Sequence, residues 1–399
     1  MYDRQLKIPS NIRTPAFILD VAALKKNMGL AARVRHEAGI TMLLATKSFA
    51  MPAAFPFMRD ALDGTTASGA FEARLGAEDF GKDVHTYAPA FSDDEFDEVL
   101  NFSHTIYFNS PTQLEKFLPR MRAYEKKWGK KICVGVRVNP GYASATVGGD
   151  LYNPCAPNSR FGVTRGQLDA LPWQDIDTLH VHALCEAQYE GSVGLIRHVA
   201  QHFAPYLQRV KAINFGGGHF INHPTYDVAV LMGALKIFKQ QFPHLQVVME
   251  PGGGLVVNTG WLATRVLDVH ENGQKIMLLD CSPTCHFMDA LNGSFRPRIV
   301  GAIDAATAEA DDTLRGKFPR HYILGGKTCM TGDVLAPYAF SRPLQVGDVL
   351  FLEDMMHYNF VQTTTFNGTP LPDLALWHED GRYEVVKRFG YDDFKRRLA

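Results

Sequence analysis

No uninterrupted apolar run in the 399 residues approaches bilayer-spanning length, so no transmembrane segment is expected. The opening residues, MYDRQLK, carry no apolar stretch, and no signal peptide is read there. The six cysteines (Cys133, Cys155, Cys185, Cys281, Cys285, Cys329) form no CxxC pair, and the chain is too long for a disulfide scaffold. A reducing cytoplasm is the expected setting. Cys281, Cys285 and His286 lack a second ligand pair at a known spacing, so no metal is expected. Neither sign of charge is in excess: 41 Lys plus Arg face 42 Asp plus Glu, which gives no electrostatic reason for nucleic acid or an anionic membrane as partner. Internal repeats and low-complexity tracts are missing too. GGKT at 325–328 resembles the end of a phosphate-binding loop, but the earlier glycine it needs is His321, so nucleotide binding is not expected there.

What is present is an ordinary globular composition, 46% apolar and 21% charged, with enough length for two domains. From residue 41 the chain alternates. Apolar strand candidates fall at 41–46, 60–66, 84–88, 104–109, 132–138, 178–183, 210–215 and 245–250. Helical periods fall at 71–80, 93–100, 111–127, 192–207 and 227–241, after a first helix from Val21 to about Glu37 capped by Asp20. Eight β/α units over this length predict an α/β chain with a TIM (β/α)8 barrel at 21–255, although an open doubly wound sheet would alternate similarly. Beyond Gly254 the pattern turns to short strand candidates at 262–269, 275–279, 298–302, 322–324 and 349–352. Helical period returns only at 391–397. That predicts a second, all-β domain, a β-barrel or β-sandwich built from 1–20 and 256–399.

The stretch TMLLATKS (41–48) carries a lysine, Lys47, off the end of a buried strand. A lysine there can extend to solvent. Alternatively, burial makes it a neutral amine able to form a Schiff base. Two glycine runs, Gly216 to Gly218 and Gly252 to Gly254, follow the seventh and eighth strands, where TIM barrels commonly bind phosphate. Glu250 ends the eighth strand as a base, a metal ligand or a partner for a heterocyclic nitrogen. His180 and His182 share one face of the sixth strand. A metal pair there would need a third ligand that the sequence does not place.

In this order the pieces resemble the fold-type III pyridoxal-phosphate-dependent decarboxylases. These pair an alanine-racemase-like barrel with a C-terminal β domain. The resemblance runs nearly the full length and is greatest to carboxynorspermidine (carboxyspermidine) decarboxylase. It rests on DGTTASG at 63–69 with Phe71 and Glu72, RVNPG at 137–141, and Cys185 with Glu186 after His182. His286 and Asp289, and YDDFKR at 391–396, complete the set.

The resemblance implies that Lys47 holds pyridoxal 5'-phosphate and that Glu250 keeps its pyridine nitrogen protonated. His182 and Arg137 would contact the cofactor, and Gly216, Gly217, Gly218, Gly252, Gly253, Gly254 and Tyr358 would cradle the phosphate. It implies catalytic roles for Lys47, His182 and Cys329, and substrate contacts for Asp289, Cys329, Asp333 and Glu186. Cys329 and Asp333 match a loop inserted into a partner's site, so a homodimer with shared active sites is implied. The expected reaction is decarboxylation of carboxynorspermidine or carboxyspermidine in polyamine biosynthesis. The alternatives are a sister decarboxylase for diaminopimelate or another amino-acid conjugate, then a racemase (disfavoured by Glu250) or a non-catalytic cofactor carrier. One departure bears on the substrate: the carboxynorspermidine enzymes carry Glu-Pro-Gly-Glu where this chain has Gly253 in the last place.

Overall fold

The computed structural model describes residues 11–145, 149–293 and 295–398; the first ten residues of the expected β segment 1–20 lie outside them. The chain divides into two compact units, Lys25–Val256 and the residues up to Leu24 together with Val257 onward.

In the first unit eight parallel strands close into a barrel. They are β1 (Thr41–Ala45), β2 (Gly64–Ala67), β3 (Asp83–Tyr87), β4 (Thr105–Phe108), β5 (Cys133–Arg137), β6 (Thr178–His180), β7 (Ala212–Asn214) and β8 (Gln246–Met249). Closure comes from β8 pairing with β1, Val248 opposite Thr41 and Met249 opposite Met42. The closed sheet decides between the two alternations left open by the sequence. Strands covered on both faces have to be apolar, and Met42, Leu43 and Leu44 are fully buried.

The helices start and stop on local signals. Ser92 forms a capping box with Glu95 on the helix Asp93–Phe102. Ser110 caps Pro111–Trp128, whose Pro111 sits in the first turn and whose end is closed by left-handed Gly129. Asp227 caps Val228–Gln241 through the amides of Ala229 and Val230. The helix expected at 71–80 is Ala70–Leu75 followed by a π turn, Gly76–Phe80. A Cβ on Gly76 would lie 2.2 Å from Thr65 Oγ1, so this turn packs directly on β2.

Among the described residues the second unit carries a nine-stranded sheet. Gly260–Asn272 is long enough to branch: its first half pairs with Ala16–Asp20 on one side and Val349–Glu353 on the other. Its second half pairs with Gln274–Leu279. Strands Val334–Phe340, Asp373–Trp377 and Tyr383–Lys387 were not anticipated, and the expected strand 298–302 is a bridge at Ile299 followed by the short strand Ala302–Asp304. Two short helices accompany the sheet, Ala305–Ala310 and Asp312–Lys317, capped by Asp304 and Asp311. Its core includes Ile18, Trp261, Ala263, Ala375 and Trp377.

Candidate active site

The C-terminal ends of the barrel strands bring together residues far apart in sequence. Lys47 sits in a turn after β1 whose flanks are pinned. Thr46 Oγ1 donates to Glu72 Oε2 at 2.7 Å and lies 2.9 Å from the Thr66 carbonyl, and Ser48 Oγ donates to the Ala45 carbonyl at 2.9 Å. Lys47 stays reachable by solvent. Protein nevertheless crowds it closely enough that desolvation, then the charge of Arg137, lowers its pKa against the pull of Glu250, Cys185 and Glu72. Its setting therefore favours the neutral amine more than a free lysine would.

Glu250, 3% exposed, follows β8. Asn214 Nδ2 donates to its Oε1 at 2.6 Å, and His180 Nε2 lies 3.2 Å from its Oε2. Burial opposes the charge, but attraction to the His180 and His85 imidazoles, which become protonated only at low pH, and the Asn214 hydrogen bond outweigh it and hold the carboxyl at about 2, so Glu250 is ionised. His180 itself is kept neutral by burial. Its contact with Glu250 is close but poorly aligned, and neither ring nitrogen makes a hydrogen bond. His182 is also neutral, through burial and the nearby charges of Lys47 and Arg137. The amide of Gly217 donates to its Nδ1 at 3.0 Å, which leaves the proton on Nε2. Arg137 Nη2 donates to the His182 carbonyl at 3.0 Å, and its guanidinium lies 4.6 Å from the Tyr87 ring centre and 4.4 Å from that of Phe161.

The glycine runs are needed first by packing. A Cβ on Gly218 (φ 84°) would sit 2.1 Å from the Leu184 carbonyl, and one on Gly252 2.1 Å from Ser48 Oγ. The amides of Gly216 and Gly217 are already spent on Asn214 Oδ1 and His182 Nδ1. Gly252 leads into the short helix Gly253–Val256. Glu186 is half-buried with φ 46°, a left-handed conformation that costs a non-glycine residue about 1–2 kcal/mol. The third ligand that the sequence could not place beside His180 and His182 is Glu250; the donor atoms lie within 4.8 Å of one another. That spread is wide for one ion, whose tetrahedral nitrogen and oxygen donors stand about 3.3 Å apart when each bond is near 2 Å.

The other expected residues belong to the second unit. Cys329 is exposed, its amide bound to Asn367 Oδ1 at 2.8 Å. Asp289 is half-buried on the single turn Met288–Ala290, and Tyr358 is half-buried with φ 50°. Asp333, an expected substrate contact, is engaged within its own unit. It is 2% exposed, and its carboxylate accepts from Ser282 Oγ (2.8 Å), Thr284 N and Oγ1 (both 2.9 Å), and Thr328 N (3.2 Å) and Oγ1 (2.8 Å). It is the post on which the Cys329 loop hangs. His286 spends both ring nitrogens on the Ser282 amide and the Pro370 carbonyl, so it holds no metal donor in reserve.

Sequence reasoning gave no role to His85, Tyr107 and Asn214, which form a buried chain to Glu250, or to Glu72 as the anchor of Thr46. The available signal was a polar residue inside otherwise apolar strands.

Known proteins place the chain. Residues 6–356 match the family described as pyridoxal-dependent decarboxylase, C-terminal sheet domain. The chain is 36% identical over 391 residues to the carboxyaminopropylagmatine decarboxylase of Synechocystis sp., covering 98% of this chain and 96% of the relative. It is also 36% identical over 389 residues to the carboxynorspermidine/carboxyspermidine decarboxylase of Campylobacter jejuni, covering 97% and 98%. The crystal structure of Campylobacter jejuni carboxynorspermidine decarboxylase complexed with norspermidine matches at TM-score 0.87 and 34% identity, over 97% of this chain and 100% of that one. A match that runs through both units makes this chain a member of the pyridoxal-dependent decarboxylases.

Proposed function

We propose that the protein decarboxylates a carboxylated polyamine, carboxynorspermidine or carboxyspermidine, with pyridoxal 5'-phosphate held on Lys47. The observation that carries this is Glu250: a buried, ionised carboxylate with no lysine or arginine at ion-pairing distance among the described residues. A protonated pyridine nitrogen fits that requirement, and the orphaned imidazole of His180 marks the same spot as polar and unfilled by protein. Lys47, Arg137, His182, Glu250 and the glycine turns would hold the cofactor, with Tyr358 as the expected addition from the second unit.

When bound, pyridoxal phosphate supplies the sink for the electron pair left as the substrate carboxylate departs as carbon dioxide. Glu250 keeps a proton on the heterocyclic nitrogen, which strengthens that sink. Lys47 Nζ, biased toward the neutral amine, would hold the cofactor and could move a proton at the substrate α-carbon. His182 Nε2 carries a second proton that can serve there, and Cys329 Sγ is the third expected donor. The strained Glu186 near the end of β6 supports a role in holding a distal substrate amine, and Asp289 remains the expected residue for it in the second unit.

The protein acts as a homodimer in this reading. Support comes from the Cys329 loop, where Met330 and Val334 are exposed beside Cys329 and Phe366 is exposed next to Asn367. The six free cysteines support a reducing cytoplasm, and no described helix is long and apolar enough to cross a membrane. A second reading, an agmatine conjugate as substrate, is favoured by Gly253 and by the equal identity to the Synechocystis enzyme.

The test is carbon dioxide release by the cofactor-loaded protein on carboxynorspermidine, carboxyspermidine, carboxyaminopropylagmatine, diaminopimelate and ornithine. Turnover of one of the first three supports a carboxylated polyamine and selects among them. Turnover confined to the last two overturns it. Lys47→Ala should lose the visible band of lysine-bound cofactor; a persistent band would sink the assignment of Lys47.

A further inference from the structure

Asn214 ends β7 and is fully buried. Its side chain makes three hydrogen bonds, in a fixed sense. Oδ1 accepts the amide of Gly216 at 2.8 Å. That bond sets which way the side-chain amide faces, because a flipped amide would present N–H to N–H. Nδ2 must therefore point the other way, and it donates to Glu250 Oε1 at 2.6 Å and to Tyr107 Oη at 2.9 Å. Tyr107, fully buried on β4, accepts from Asn214 and pairs with His85 Nδ1 on β3, 3.0 Å away, with Thr178 as a further partner of its hydroxyl. Burial lowers His85 to about 4, so at working pH it is neutral. Burial and the nearby Glu250 charge raise the Tyr107 phenol well above its usual range, so it stays a neutral hydroxyl.

The chain thus runs from His85 through Tyr107 and Asn214 to one oxygen of Glu250. It also ties the glycine turn at Gly216 to the carboxylate on the neighbouring strand through one side chain.

We propose that Asn214, backed by Tyr107 and His85, is a positioning residue that fixes the rotamer and the charge of Glu250, and through Glu250 the protonation of the bound pyridine ring. This rests on the reading of Glu250 given above. The other groups facing Glu250 are His180 from β6, Arg137 from β5 and Lys47 from the turn after β1. None of them donates a well-formed hydrogen bond to it. Asn214 is then the donor that decides where the carboxylate points. An acceptor at the same place would set two carboxylates against each other, and one proton would be shared between them.

The decisive substitution is Asn214→Asp. It keeps the shape and the acceptor for Gly216 but turns the donor facing Glu250 into an acceptor. Pyridoxal phosphate is titrated into cofactor-free protein, and the dissociation constant and the pH dependence of the visible band are read. Asn214→Asp should weaken cofactor binding about 10-fold or more, the equivalent of losing a charged hydrogen bond. It should also move the pH midpoint of the band. In a Glu250→Gln background the same change should cost less than about threefold, because its effect passes through Glu250. Tyr107→Phe should shift the band in the same direction by less.

Equal losses from Asn214→Asp in both backgrounds would show a merely structural role and overturn the proposal. So would an unshifted band in both Asn214→Asp and Tyr107→Phe. If Asn214→Asp does not fold, an unshifted band in Tyr107→Phe alone overturns it. Wild-type protein that binds no pyridoxal phosphate would overturn the reading of the site itself, a separate outcome.

Discussion

Replacing Glu250 by glutamine should change how stability depends on pH, with or without cofactor. In the fold Glu250 is held at about 2, against 4.5 for a free glutamate, because His180, His85 and Asn214 together outweigh its burial. A carboxyl whose folded value is depressed contributes its full stabilisation above the unfolded value. That contribution drains away as pH falls through about 4.5 and is gone below about 2. The full gap corresponds to about 3 kcal/mol at 1.36 kcal/mol per pH unit. Between pH 6 and pH 3 about 2 kcal/mol of it should disappear by the same linkage. For a unit of this size that is roughly 4–8 °C in melting temperature. The assay is calorimetry of cofactor-free wild type and Glu250→Gln at matched pH values. The glutamine amide does not titrate, so the wild-type advantage should narrow by that amount toward pH 3. Two melting curves that fall in parallel from pH 6 to pH 3 would refute the claim that Glu250 is ionised and held by its neighbours.

Other outcomes follow from the same geometry. Gly218→Ala places a Cβ against the Leu184 backbone at positive φ and should prevent folding, whereas Gly81→Ala, also at positive φ but with nothing within 4 Å, should cost only about 1–2 kcal/mol in denaturant unfolding. A loss confined to a similar small value for Gly218→Ala would contradict the packing role of that run. Asp333→Ala removes the acceptor for Ser282, Thr284 and Thr328 and should destabilise the protein by about 2–4 kcal/mol while speeding alkylation of Cys329; unchanged thiol reactivity would mean that the loop holds itself. Mixing inactive Lys47→Ala and Cys329→Ala subunits should restore partial activity through one intact hybrid site, and no recovery in a verified mixed dimer argues against shared sites.

Much of the architecture was legible in the chain because it rests on local chemistry. Apolar runs at regular spacing marked the eight barrel strands, and Asp20 marked the start of the first helix, where it accepts from the Ala22 and Ala23 amides. The second unit was less legible. Strands such as Tyr383–Lys387 are half-buried and mixed in composition, and the branching of Gly260–Asn272 depends on partners more than eighty residues away. The partners of Asp333 were not legible: its place near Cys329 is read from the sequence, but only the folded loop brings Ser282, Thr284 and Thr328 to its carboxylate.

The sequence by itself determined the strand that leads to Lys47, the glycines that tolerate positive φ, and the carboxylate at Glu250, since each depends on neighbours a few residues away. Only the tertiary structure decided that the sheet closes, because closure is a pairing of β8 with β1 across some two hundred residues. Closure in turn decided which strand face lines the interior. That is why His85, Tyr107 and Asn214, scattered over three strands and given no role from sequence, meet His180 around one carboxylate.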